Sequence, residues 1–293
     1  MKKRFLSLLL AGAALTMTLT GCGGAGKDNG GAASGSGAGA SGAASSGASA
    51  DSDVAYVKDK GTLIVGITDF NPMDYQESGS DEWIGFDADM AKEFAKTLDV
   101  EAEFIEINWD NKIMELETKA IDAVWNGMTL TDEVKNSMNC SMPYCRNAQV
   151  VVVPKDKADQ YKDADSLKDL SFAVESGSAG EKAAQAMNFN ATSVQTQAAA
   201  VMEVSSGASD ACVIDLLMAG AMVGEGTSYP DLTYTVNLNE ANNEESEEYG
   251  VGFRKDSDLT DAFNSFYKDA FAAGKVTEIA TTYGVQESLI DPQ

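Results

Sequence analysis

Residues Gly85–Val100 read GFDADMAKEFAKTLDV, and Glu101–Ile107 continue with EAEFIEI. In the first stretch Phe86, Met90, Phe94 and Leu98 recur every four residues, with Ala91 and Ala95 alongside. That spacing lines one face of a helix. In the second, acidic and apolar residues alternate as on a strand. Just upstream, LIVGI (63–67) is an apolar run of strand length. Strand, helix, strand is the unit that builds parallel sheets, because the helix carries the chain back to the starting edge.

The alternation continues to the end of the chain. Trp109, Ile113, Met114 and Leu116 mark a second helix, IDAVW a strand, and TDEVKNS a third helix with Thr131 as its cap. AQVVVV (148–153) and LSFAV (170–174) read as strands, followed by a helix from Ala179 and a strand at TSVQ. A helix near 197–206, the strand DACVI, and a helix near 215–223 repeat the theme. YGVGF (249–253) is a further strand, with helices near 258–273 and 275–284 after it. The fold class is therefore α/β, with mostly parallel sheets flanked by helices. In such sheets ligands bind beyond the carboxyl ends of strands. WNGMTLTDEV (125–134) sits at one such end, offering backbone N–H groups, two hydroxyls and a helix start. The segment order suggests two lobes, 54–146 plus 250–293 and 147–249. The crossings at Tyr144–Ala148 and Glu248–Gly250 would form a hinge.

The first residues speak to location. MKKR is a positive start, FLSLLLAGAALTMTLT is uncharged and apolar, and LTGC closes the run at Cys22. Residues 1–21 read as a secretory signal. LTGC resembles the bacterial lipobox, which implies cleavage before Cys22 and lipid on its thiol and new amino group. Residues 22–53 are dominated by Gly, Ala and Ser, a composition that cannot bury a core. They read as a flexible tether with a root-mean-square reach of roughly 30 Å. The expected location is the extracytoplasmic face of the cell membrane, held by the lipid anchor only.

The formal charge of the 293-residue chain is −25, which argues against nucleic acid as a partner. It contains no histidine, which removes Ser-His-Asp hydrolysis and most zinc sites. A bridge between Cys140 and Cys145 would need a tight turn in CSMPYC, and Cys212 in ACVI reads as a small core residue. The acidic segment NEANNEESEEYG (239–250) reads as a solvated loop rather than a calcium site.

Four blocks, taken in order, resemble the extracellular solute-binding proteins of polar amino acid ABC transporters. They are GTLIVGITDFNPMDY, WIGFDADMAKEFAKTLDVEAEFIEINWDNKIMELETKAIDAVWNGMTLTDE, LSFAVESGSAGEKAA and SDACVIDLLMAG, and the tail from YGVGFRKDSDL fits as well. The resemblance covers about residues 54–285. It implies a two-lobed, type II periplasmic-binding-protein-like clamp. Such a clamp closes on one amino acid and hands it to a membrane permease. It acts as a monomer, without cofactor or covalent chemistry.

Carried over residue by residue, the resemblance places Phe70 and Trp109 as aromatics sandwiching the ligand. Asp69 takes the place of an acid that meets the ligand ammonium. Gly127 and Thr129 hold the ligand through backbone and hydroxyl, and Asn126 either reaches it or caps the turn. Asp215 pairs with the α-ammonium, with capping of its own helix as the alternative, and Ser178 joins the binding set. Where relatives carry an arginine that forks onto the ligand carboxylate, this chain has Val134. Arg146 is the candidate replacement, with Lys135 pointing away. Glu175 stands where some relatives place lysine and faces either the cleft or solvent. An aromatic cleft lined by Glu175, Asp215 and Asp69 favours a cation. A basic or strongly polar amino acid is the expected ligand. The alternatives are an organic cation lacking an α-carboxylate, a dehydratase-like enzyme on the same fold, and a ligand-sensing surface protein.

Overall fold

The computed structural model describes residues 52–242 and 244–292. The signal segment, Cys22 and the tether up to residue 51 lie outside the described residues. Ser52 and Asp53, read above as the end of the tether, belong instead to the folded body. Ser52 caps the helix Asp53–Lys60, its hydroxyl accepting from Ala55 N–H at 3.0 Å.

Two five-stranded sheets carry the fold. The first runs in the spatial order Glu101–Glu106, Thr62–Ile67, Ala123–Val124, Gly252–Phe253, Asn139–Cys140. Its first three strands are parallel and Gly252–Phe253 is antiparallel to both neighbours. The second runs Asn190–Val194, Ser171–Glu175, Ala211–Asp215, Gln149–Pro154, Leu232–Asn237. Here too three parallel strands are joined by antiparallel ones. Each sheet belongs to one lobe. Between them Cys145–Asn147 pairs antiparallel with Glu247–Tyr249. The run YGVGF is thus two strands, one in this connecting ribbon and one in the first sheet.

The helix Phe86–Thr97 buries Phe86, Met90, Ala91, Phe94 and Ala95, the face its spacing predicts. Phe94 packs edge-on against Phe263 at 5.6 Å, and Trp125 does the same at 5.0 Å. Such aromatic pairs add about 0.5–1.5 kcal/mol beyond area burial. The other lobe centres on Val151, Val153 and Val213, with Phe172 stacked on Phe189 at 4.4 Å. Cys140, Cys145 and Cys212 are all free thiols, and Cys212 is a buried core residue. Among the described residues no helix is long and apolar enough to cross a membrane.

The helix after Trp109 departs from its predicted phase. Trp109–Asn111 form a 3-10 turn before the α-helix Lys112–Glu117. The tighter turn advances the register. Met114 ends up 52% exposed, while Lys112 is turned inward at 7%.

Candidate ligand-binding cleft

The carboxyl ends of the parallel strands from both sheets converge on one cleft. Its walls include Trp109, Lys112, Asn126, Gly127, Thr129 and Val134 from one lobe, and Glu175, Ser178, Lys182, Gln197 and Asp215 from the other. It holds about 420 Å³ of atom-free space including its mouth. The two lobes approach each other closely across it, Lys112 Nζ donating to Gly177 O at 2.9 Å. Gly177 shows how closely they meet: a Cβ there would lie 2.7 Å from the Asp110 Cα, and its φ of +72° also favours glycine.

Asp215 ends the strand Ala211–Asp215 and is buried among neutral donors. Its Oδ1 accepts from the Tyr249 hydroxyl at 2.9 Å, the Gln149 amide at 3.0 Å and the Asn147 amide. Its Oδ2 accepts from Gln197, whose own carbonyl receives the Asp215 N–H at 2.8 Å. The Asp215 side chain does not cap the helix that follows it. Burial, then the negative charge of Glu247, pushes its carboxyl up to about 7. Neutral dipoles orient this carboxylate without neutralising it, which suits it to receive a cation.

Glu175, at the end of Ser171–Glu175, is 2% exposed, so it does not face solvent. Its Oε1 has no hydrogen-bond partner among the described residues. Burial, then the charge of Asp215, pushes this carboxyl up to about 8. Ser178, 4% exposed, caps the helix Ala179–Ala186 by accepting from Glu181 N–H at 3.0 Å.

The WNGMTLT corner is tied down from behind. The side-chain amide of Asn126 accepts from Thr68 N–H and Oγ1 at 3.0 and 2.8 Å. It donates to Thr68 O at 3.0 Å and Asp74 Oδ2 at 2.7 Å. Its four hydrogen-bonding places are all taken, so Asn126 positions the corner rather than reaching a ligand. Gly127 has φ +54°, and its N–H donates to Asp87 Oδ2 at 2.6 Å. A Cβ at Gly127 would lie 2.5 Å from the Phe70 ring. Asp87, pushed up to about 6 by burial, also accepts from the Tyr144 hydroxyl at 2.7 Å. Thr129 Oγ1 donates to Glu247 Oε2 at 3.1 Å.

Three of the residues singled out in the sequence lie elsewhere. Phe70 is 1% exposed and supports Gly127 from behind, edge-on to Tyr249 at 6.3 Å. Its N–H bonds to Asp74 O at 2.7 Å, a tight turn that directs the ring into the core rather than onto a ligand. Asp69 beside it is exposed and outside the cleft. Arg146 faces solvent from the ribbon strand Cys145–Asn147, whose flanking residues take the inward positions. Lys135 is exposed as expected.

Other residues of the site were not foreseen. Glu247, from the segment read as a solvated loop, accepts from Gln149 at 2.8 Å as well as from Thr129, so it touches both lobes. Gln149, Gln197 and Tyr249 hold Asp215, and Lys112 enters from the helix whose phase was misread. Alternation marked Gln149 and Tyr249 only as strand residues, without a partner.

Two sheet-bearing lobes joined by a strand ribbon, with polar groups converging between them, define a type II periplasmic-binding-protein clamp. The chain belongs to the bacterial extracellular solute-binding proteins, family 3, whose model matches residues 63–286. It is 30% identical over 285 residues to the arginine-binding extracellular protein ArtP of Bacillus subtilis, covering 94% of this chain and 96% of that protein. A probable histidine-binding protein of Neisseria gonorrhoeae is 26% identical over 97% of both chains. Among solved structures, the arginine-bound form of a truncated ArgBP from T. maritima superposes with a TM-score of 0.67 and 32% identity, covering 73% of this chain and 99% of that one. The ancestral amino acid-binding protein AncCDT-1, a precursor of cyclohexadienyl dehydratase, gives 0.71 and 30%, covering 79% and 99%. The relatives are thus amino-acid-binding proteins, and the fold has also been a starting point for an enzyme.

Proposed function

We propose that this protein is the lipid-anchored substrate-binding component of an ABC importer, capturing a basic amino acid by closure of its lobes. The observation that carries the reading is the pair of buried carboxylates, Asp215 and Glu175, on the wall facing Trp109. Asp215 is oriented by four neutral donors for an ammonium, and Glu175 keeps a free oxygen for a second positive group. Trp109, 6% exposed, offers an aromatic surface to the aliphatic or planar part of such a side chain. The arginine-binding relative supports the same ligand class.

The mechanism is binding without covalent chemistry. The ligand enters between parted lobes, here drawn as 54–146 plus 250–293 and 147–249. It neutralises the carboxylates, and the closed form docks on the permease. Anchoring through Cys22 keeps the clamp beside that permease, outside the cytoplasm. Replacing Trp109 and Asp215 together by Ala should abolish binding of L-arginine in calorimetry and leave the circular dichroism spectrum intact. Unchanged affinity would remove the site assignment.

A second reading has its own observation. Val134 lines the cleft and is 3% exposed, and no guanidinium stands among the lining residues. An organic cation without a carboxylate would need none.

A further inference from the structure

Lys112 is a buried cation without a counter-ion. It is 7% exposed, and its ammonium donates to Trp109 O at 3.1 Å and, across the cleft, to Gly177 O at 2.9 Å. Among the described residues it makes no ion pair within 4.0 Å, whereas nine other lysine and arginine side chains do. Buried charges are ordinarily paired, because an unpaired one keeps its full desolvation cost. Two carbonyl dipoles satisfy two of three N–H donors and the Trp109 ring lies 5.0 Å from the ammonium, but no anion pairs with the positive charge. The other cation in the cleft, Lys182, is committed to Glu133 and is 41% exposed. Glu175 lies in the same cleft with its own unpartnered oxygen, yet does not pair with Lys112. A buried cation and a buried anion held apart on opposite lobes form the complement of a zwitterion.

We propose that Lys112 is the anchor for the ligand's carboxylate, supplying from the neighbouring helix the positive charge that Val134 does not. The assignment rests on the amino-acid reading above and deepens it. The groups whose charge bears on Lys112 are Lys182, Glu133, Glu175 and Asp110. Burial, then the charge of Lys182, brings the Lys112 ammonium down to about 8, so its charge is present at neutral pH and fades above it. A bound carboxylate would hold the proton in place.

The test is calorimetry on the full chain with two ligand pairs: L-arginine against agmatine, and L-lysine against cadaverine. The second member of each pair lacks the carboxylate. The wild type is expected to prefer the amino acid at least ten-fold. Lys112→Met should cut that preference at least ten-fold while leaving the amine's affinity within about two-fold, and Lys112→Arg should restore part of it. Equal weakening of both ligands would make Lys112 a packing or latching residue and overturn the proposal, as would an unaltered preference. A wild type that binds the amines as well as the amino acids would overturn the amino-acid reading itself. If Lys112→Met fails to fold, the wild type still decides. Its preference should fall about three-fold or more between pH 7 and pH 8.5, as the ammonium loses its proton. A constant preference would refute the assignment.

Discussion

Two clusters of buried charge in this protein look alike by composition and differ in their partners. Behind the first sheet, Arg254 is 8% exposed and meets Asp53 at 3.0 Å, Asp122 at 3.2 Å and Ile121 O at 2.7 Å. Lys60 also pairs with Asp122, which in turn accepts from Ile64 N–H at 2.9 Å. Every charge there has an opposite within reach, all from one lobe. In the cleft, Lys112 and Glu175 are both buried but come from different lobes and leave each other unpaired. A closed set of charges fixes a fold. An open set brought together by two movable bodies costs stability until something else completes it. Placement across the lobe boundary separates the two roles, and charge content alone does not.

The largest effect should come from breaking the closed set. Arg254→Met leaves Asp122 buried beside a single lysine, and loss of one partner from a buried pair typically costs about 3–5 kcal/mol. Urea unfolding should show a loss of that order, with ligand affinity unchanged in the fraction that remains folded. A loss below about 1 kcal/mol would mean that the cluster is not structural.

The opposite signature is expected in the open set. Glu175→Gln should weaken L-arginine binding roughly ten- to hundred-fold, the equivalent of one charge-assisted hydrogen bond of about 1.5–3 kcal/mol. The same substitution should raise the melting temperature of the unliganded protein at pH 8. The sign follows from the folded Glu175 carboxyl, which titrates at about 8 against 4.5 as a model group. The folded state holds this proton longer, so the group's stabilising contribution is intact below about 4.5 and is lost as pH rises toward 8. Other carboxyls, among them Asp53 and Glu133, are shifted the opposite way. The informative quantity is therefore the wild-type melting curve minus that of Glu175→Gln, which should fall from pH 5 to pH 8. A flat difference would mean that Glu175 is solvated in the free protein.

The smallest effect is a count of protons. Asp215 and Glu175 sit at about 7 and 8, so near pH 7 both are partly protonated before a cation arrives. Binding of L-arginine should release on the order of one proton. Calorimetry in two buffers of different ionisation enthalpy would measure it. Zero or net uptake would show that the carboxylates do not meet the ligand's positive groups.

Much of the fold was legible in residues 85–107, because helical and strand periodicities are local and the core face follows from them directly. Helix Phe86–Thr97 buries the face its spacing marks, and LIVGI, LSFAV and DACVI lie in sheets. Asp215 and Glu175 could be placed at strand ends for the same reason. The strand Leu232–Asn237 was passed over although LTYTVN alternates, its threonines giving a weaker apolar signal than the valine run it pairs with.

By itself, then, the sequence determined most of the order of strands and helices, the family, and the strand-end positions of Glu175 and Asp215. Tertiary structure alone decided which groups face the ligand. Phe70 and Lys112 exchanged the roles their residue types suggest, an aromatic going to the core and a lysine to the cleft. A tight turn at one and a 3-10 turn at the other reset the direction of each side chain. Glu247, far along the chain from Thr129, joined the site only because the connecting ribbon brings them together. Periodicity is set by neighbours within a few residues. Burial, pairing and the lack of a partner are set by the meeting of two lobes, and no local pattern carries that information.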